Sequence, residues 1–110
     1  MRYTSIIKIH RCDAVMKVEK LTECMELMKI LGDETRLKIL CILGSKRLMG
    51  VEILKKLDIV QSALSFQMSK LVKSGIVKAE EVWKYTYYTI DQERMKEVVK
   101  SFRILNEVAK

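Results

Sequence analysis

Residues 61–73, Q-S-A-L-S-F-Q-M-S-K-L-V-K, hold the chain's best-organised set of reactive or ligand-seeking side chains. At 100° per residue, Leu64, Met68, Leu71 and Val72 gather on one side of a helix. Ser62, Phe66, Ser69 and Lys73 fall opposite, flanked by Ala63, Ser65 and Lys70. Hydroxyl and ammonium donors on an outward helical face suit phosphate oxygens and base edges, and such a helix fits a major groove about 12 Å wide. An ordinary amphipathic surface helix shows the same pattern. Pattern alone leaves both open.

The other reactive residues are scattered. The chain's one histidine, His10, stands with Cys12 as an H-x-C pair near the N-terminus, and Cys24 and Cys41 lie apart with no C-x-x-C spacing. A thiolate or imidazole metal site needs three or four ligands in reach. Two are too few, so no metal and no cofactor are expected. No Ser-His-Asp or Cys-His set is visible, and no phosphate-cradling G-x-x-x-x-G-K or G-x-G-x-x-G loop occurs. Asp33, Glu34, Asp91 and Glu93 stand where helix N-termini favour carboxylates, which accounts for them without catalysis. No enzyme is expected. Trp83, Tyr85, Tyr87 and Tyr88 could form a stacking platform for single strands, but hairpin packing is the favoured account.

With 110 residues the chain is the size of one small domain. Hydrophobic residues at 49% and charged ones at 32% exclude a disordered tail, and no apolar run nears the ~20 residues of a bilayer span. A cytoplasmic protein with free thiols and no membrane contact is expected. Lys and Arg number 21 against 14 Asp and Glu, a net charge of +7, which points to a polyanionic partner. The excess is local: residues 41–80 hold seven basic residues against three acids, whereas 81–100 balance at four each.

There is no Pro, and only four Gly, so helices should dominate. Residues 1–16 read as an arm, with strand-prone residues from Thr4 to Ile9. Residues 17–110 read as the folded domain. A helix over about Val18–Leu31 should stop at a left-handed Gly32, and Asp33 should cap a second helix closed by Gly44. Gly50 opens a short helix over Val51–Leu57. Ser62 is the expected cap of the next helix, which stops at Gly75. The period then changes from 3.6 to 2, with strands on either side of a tight Trp83-Lys84 turn. Asp91 should cap a long last helix striped by Met95, Val98, Val99, Phe102 and Leu105. The class is mainly α with a small β-hairpin: about five helices and a two-stranded wing.

Three segments carry a more specific likeness: I-L-G-D-E-T-R-L-K-I-L-C-I-L (30–43), Q-S-A-L-S-F-Q-M-S-K-L-V-K-S-G-I-V (61–77) and Y-T-Y-Y-T-I (85–90). Together they resemble the ArsR/SmtB family of winged helix-turn-helix repressors, over roughly residues 19–109. The resemblance implies a homodimer built from the first and last helices, here Leu21, Met25, Met28, Met95, Val98, Val99 and Phe102. It also implies that two recognition helices read an inverted repeat in double-stranded DNA, and that a metal, oxidant or small effector relieves repression. Carried over by position, Gln61, Ser62, Ser65, Phe66, Gln67 and Lys70 occupy the DNA-reading stretch. Ser69 and Lys73 join them on the exposed face, and Lys78 and Lys84 supply the wing's contacts.

The departures from the family pattern are informative. Phe66 stands where a polar or basic residue is usual, and could meet a thymine methyl. The wing reads E-E-V-W-K over residues 80–84, where Arg and Gly are common. Residues 49–53 have no cysteine, and 91–110 have neither His nor Cys, so the family's metal sites are not matched. Cys41 falls where oxidant-responsive members keep one reactive thiol. Cys24 is the available second, although a cysteine among Ile39, Leu40, Ile42 and Leu43 is more often an inert core residue. The competing class is a protein-interaction module with Phe66 and the acidic wing as its surface.

Overall fold

The computed structural model describes residues 11–108. In chain order these form α1 (Arg11–Leu31), α2 (Glu34–Leu43), β1 (Leu48–Met49), α3 (Gly50–Leu54), α4 (Gln61–Lys73), β2 (Val77–Val82), β3 (Tyr85–Ile90), α5 (Gln92–Phe102) and α6 (Ile104–Val108). This is a mainly helical winged helix-turn-helix, as expected. None of these helices is long and apolar enough to cross a membrane.

Local chemistry sets most boundaries. The Asp33 carboxylate accepts from the Arg36 backbone N–H at 3.0 Å and starts α2. Asp91 accepts from the amides of Glu93 and Arg94 and starts α5. The five-residue α3 is pinned at its start by Glu52, whose carboxylate accepts from Met49 N at 2.9 Å. Gly75 closes α4 at φ 82°, a left-handed conformation in which any side chain would be strained. Arg94 Nε donates to Ser74 O there, so α5 is tied to the end of α4.

The structure corrects several boundaries. Among the described residues the first helix spans Arg11–Leu31, so residue 16 lies inside it; the strand-prone Thr4–Ile9 lies outside the described residues. Gly32 is not left-handed. A Cβ there would stand 2.8 Å from Met28 O, so close approach accounts for the glycine. The third helix ends at Leu54 rather than Leu57. Ser62 is not a cap, because Val60 holds that position without a side-chain bond. The last helix breaks at Arg103 into α5 and α6.

The sheet has a strand that sequence periodicity does not show. Leu48–Met49 pairs with Tyr88 and Tyr87, which makes the order β1-β3-β2, antiparallel throughout. In the hairpin Val77 pairs with Ile90 and Val82 with Tyr85. Two residues are too few for an alternation signal, and pairing with β3 alone makes them a strand.

The core gathers Leu27, Ile39, Leu43, Ile53, Leu64, Met68, Leu71, Ile76, Val77 and Val98 from α1 through α5. Leu71 is fully buried and anchors α4; truncation there should cost about 2–5 kcal/mol. Val72, expected on the inner side, is 37% exposed. Val98, expected at a dimer face, is 1% exposed within its own chain and belongs to this core.

The Asp33 cap is testable. The Arg36 amide hydrogen bond holds its carboxyl below the ordinary Asp value, against an opposing push from desolvation. A lowered folded-state pKa means that the stabilisation is present above the unfolded pKa and lost as pH falls through the folded one. Asp33→Ala should therefore cost about 1 kcal/mol in urea unfolding at neutral pH. The gap from wild type should narrow as the medium is acidified through the carboxylate range; a gap unchanged by acid would mean that the charge contributes nothing.

Candidate nucleic-acid interface

The outward face of α4 is displayed by the three buried residues beneath it, Leu64, Met68 and Leu71. Gln61, Ser62, Ser65, Phe66, Ser69, Lys70 and Lys73 are all exposed. Phe66 is 59% exposed, and the Lys70 ammonium lies 5.2 Å from its ring centre, a cation–π contact one turn along the surface. The helix starts without a side-chain cap and has no acid in its first turn. Leu64 N donates to Val60 O, which leaves the amides of residues 61–63 at the open end of the helix dipole. Such an end accepts a phosphate oxygen.

Gln67 does not share that face. It is half-buried, and its Oε1 accepts from Arg36 Nη1 at 2.6 Å. The signal was its spacing: three residues after Leu64 and four before Leu71 is the inward stripe. Arg36 itself was missed as a site residue. It is 9% exposed; its Nε donates to Ile30 O at 2.5 Å and its Nη2 to Lys29 O at 3.2 Å. The guanidinium thus ties the last turn of α1 to α4.

The wing stands beside α4. A cleft of about 420 Å³ lies between them, with Gln61, Leu64, Ser65 and Met68 on one wall and Lys84, Tyr85, Thr86 and Tyr88 on the other. Lys84 is exposed and lines this cleft. Lys78 instead faces Asp91, Nζ to Oδ2 at 3.9 Å. Glu80 is engaged by Arg47, whose guanidinium also lies 4.2 Å from the Tyr87 ring centre. Arg47 and Glu80 stand 33 residues apart in sequence, and the trio became visible only with the strand register. Tyr87 and Tyr88 are half-buried, in keeping with hairpin packing, but Trp83 is 95% exposed.

One thiol departs from its expected place in the core. Cys41 is exposed beside Leu37, Lys38 and Leu57 in a shallow groove, because it sits on the side of α2 away from Ile39 and Leu43. Cys24 is buried in α1. Among the described residues no three His, Cys, Asp or Glu side chains meet as a metal-holding group; His10 and the Cys12 side chain lie outside them.

A helix-turn-helix whose second helix shows a hydroxyl- and lysine-bearing face, with a hairpin alongside, defines a winged-helix regulator fold. The model for "Bacterial regulatory protein, arsR family" matches residues 33–79. An HTH-type transcriptional regulator of Methanocaldococcus jannaschii is 37% identical over 84 residues, 76% of this chain and 94% of that protein. The transcriptional activator HlyU of Vibrio cholerae is 32% identical over 73 residues, 66% of this chain and 68% of that one. The crystal structure of the regulator HlyU from Vibrio vulnificus superposes with a TM-score of 0.68 at 30% identity, covering 84% of this chain and 97% of that one. The chain belongs to the ArsR family of transcriptional regulators, and is not an enzyme.

If Arg36 sets how α4 sits on the domain, Arg36→Met should destabilise the fold by about 3 kcal/mol or more, because it leaves the Ile30 carbonyl and the Gln67 amide without their partner. Gln67→Leu should be far milder. Chemical denaturation of both variants and the double variant gives their coupling, and a coupling near zero would show that the two side chains do not work as a unit.

Proposed function

We propose that this chain is a homodimeric DNA-binding repressor whose two α4 helices read an inverted repeat. The observation that carries the reading is the outer face of α4: Ser62, Ser65, Ser69, Lys70 and Lys73 exposed together, two lysines with no acid, and an uncapped N-terminus. Lys70, Lys73 and the open amides hold phosphates and set the register. Gln61, Ser62, Ser65 and Ser69 face the base edges, and Phe66 offers an apolar contact for a thymine methyl. Gln67 leaves the contact set because Arg36 engages its amide oxygen.

Uncovered apolar residues on the terminal helices support the dimer. Met25 and Met28 on α1, Val99 on α5 and Leu105 just beyond it are each 43–51% exposed. Leu21, Met95 and Phe102 are half-buried at the same helices. A two-fold axis there would present two recognition helices to a symmetric operator. A protein that covers a promoter represses it, and the relative named as an activator accords with the sign of control depending on where the operator lies. We place this activity in the cytoplasm. Of the signals that could release it, oxidation has a candidate receiver in Cys41, which is open to solvent, while Cys24 is enclosed.

Three measurements test this. Affinity for a duplex selected from a random pool should fall steeply with salt. Lys70→Ala should weaken binding to all sequences and lower the salt slope by about 1, whereas Ser65→Ala should relax discrimination at one position. Unchanged affinity in both would refute this face, and salt-insensitive capture of a protein would favour the interaction module. Val99→Glu should yield monomers in sedimentation with the fold intact; it is a cleaner probe than deleting α5, which would also remove Val98 from the core. Cys41→Ser should abolish any oxidant-induced release from DNA, and release that persists would exclude this thiol.

A further inference from the structure

The hairpin turns on Trp83 and Lys84. Trp83 has φ 61° and is 95% exposed. Two-residue turns of this kind are best served by Asn or Gly, because a larger residue is strained at positive φ. A tryptophan here carries that strain, leaves an indole in water, and contributes almost no packing to its own chain. Val82 and Tyr85, paired across the strand ends directly below, are exposed too. The tip is therefore an apolar cap on a protruding hairpin.

Charge offers no other use for it. Residues 77–90 hold two lysines against two glutamates. Lys78 faces Asp91 and Glu80 is engaged by Arg47, which leaves Glu81 and Lys84 to offset one another. A neutral hairpin gains little from phosphate, in contrast to α4 with its two lysines and no acid. Yet Lys84 and Tyr85 line the same cleft as Gln61 and Ser65, so the tip and the start of α4 look out on one side of the molecule.

We infer that Trp83 is an apolar wedge for double-stranded DNA: it enters the minor groove next to the major-groove site of α4 and packs between the bases of one step. The inference rests on the DNA-binding reading above. Apolar wedges partly unstack such steps and kink the duplex, and pyrimidine–purine steps open most readily. Trp83 would thus select a flexible step at a fixed offset from the bases that α4 reads. Because the contact is uncharged, its contribution should not vary with salt.

Trp83 is the chain's one tryptophan, so its emission reports the tip alone. The probe is a duplex selected by the wild-type protein from a random pool, with an unselected duplex as control. The selected duplex should quench the emission and shield it from acrylamide. Trp83→Gly, suited to the left-handed turn, should unfold no earlier than wild type yet bind roughly tenfold more weakly, in line with the loss of one base–aromatic contact. Its salt slope should stay at the wild-type value, and Trp83→Asn should behave alike. Unaltered emission, or a Trp83→Gly variant that binds as tightly as wild type, would overturn the wedge and leave DNA binding by α4 standing. Failure to select any duplex would overturn both.

Discussion

Arg36 is the one charged side chain buried among the described residues, and its guanidinium connects the end of α1, the start of α2 and the middle of α4. Removing a charge from water costs several kcal/mol unless its donors are answered. Here the carbonyls of Lys29 and Ile30 answer it, at the negative end of the α1 dipole, together with the Gln67 amide oxygen. Asp33, whose carboxylate accepts from the backbone N–H of the same Arg36, adds an opposite charge nearby. Apolar contacts would let α4 roll by small amounts. A planar fork held by two bonds to the end of α1 adds a directional bond to Gln67 on α4.

That constraint explains how the outward face of α4 stays coherent. With Leu64, Met68 and Leu71 in the core and Gln67 held beside them, every remaining polar residue of the helix turns to solvent. The charge is divided along the same line. Basic residues without acids sit on α4, while the hairpin carries as many glutamates as lysines, and two of these four groups are engaged by Arg47 and Asp91 at its base. The two elements flank one cleft but offer different chemistry: ionic and hydrogen-bonding on the helix, apolar at the hairpin tip.

The terminal helices split their apolar residues between inside and outside. Cys24, Leu27, Val98 and Ile104 are enclosed within the chain, whereas Met25, Met28, Val99 and Leu105 remain uncovered. A helix that needs a partner on one face only is served by a single stripe. Two adjacent stripes, one spent on the chain's own core, are what a helix shared between a domain and an interface requires. The break at Arg103 turns α6 so that Ile104 packs inward against α1.

Much of the architecture was legible from local chemistry. The caps at Asp33 and Asp91, the stops at Gly44 and Gly75, the 3.6-residue stripe of α4 and the change of period at Val77 are each decided by neighbours a few residues apart, so a linear reading reaches them. The exposed serines and lysines of α4 follow from the same stripe. What the tertiary structure alone decided are contacts between residues far apart in the chain. The pairing of Leu48–Met49 with β3, the Arg47–Glu80–Tyr87 cluster and the Arg36–Gln67 bond have no periodic signature, since each depends on register or on how two helices cross. The same reason put Val98 in the core: an apolar stripe tells which residues leave water, but only the packing tells whether the cover is the chain itself or something else.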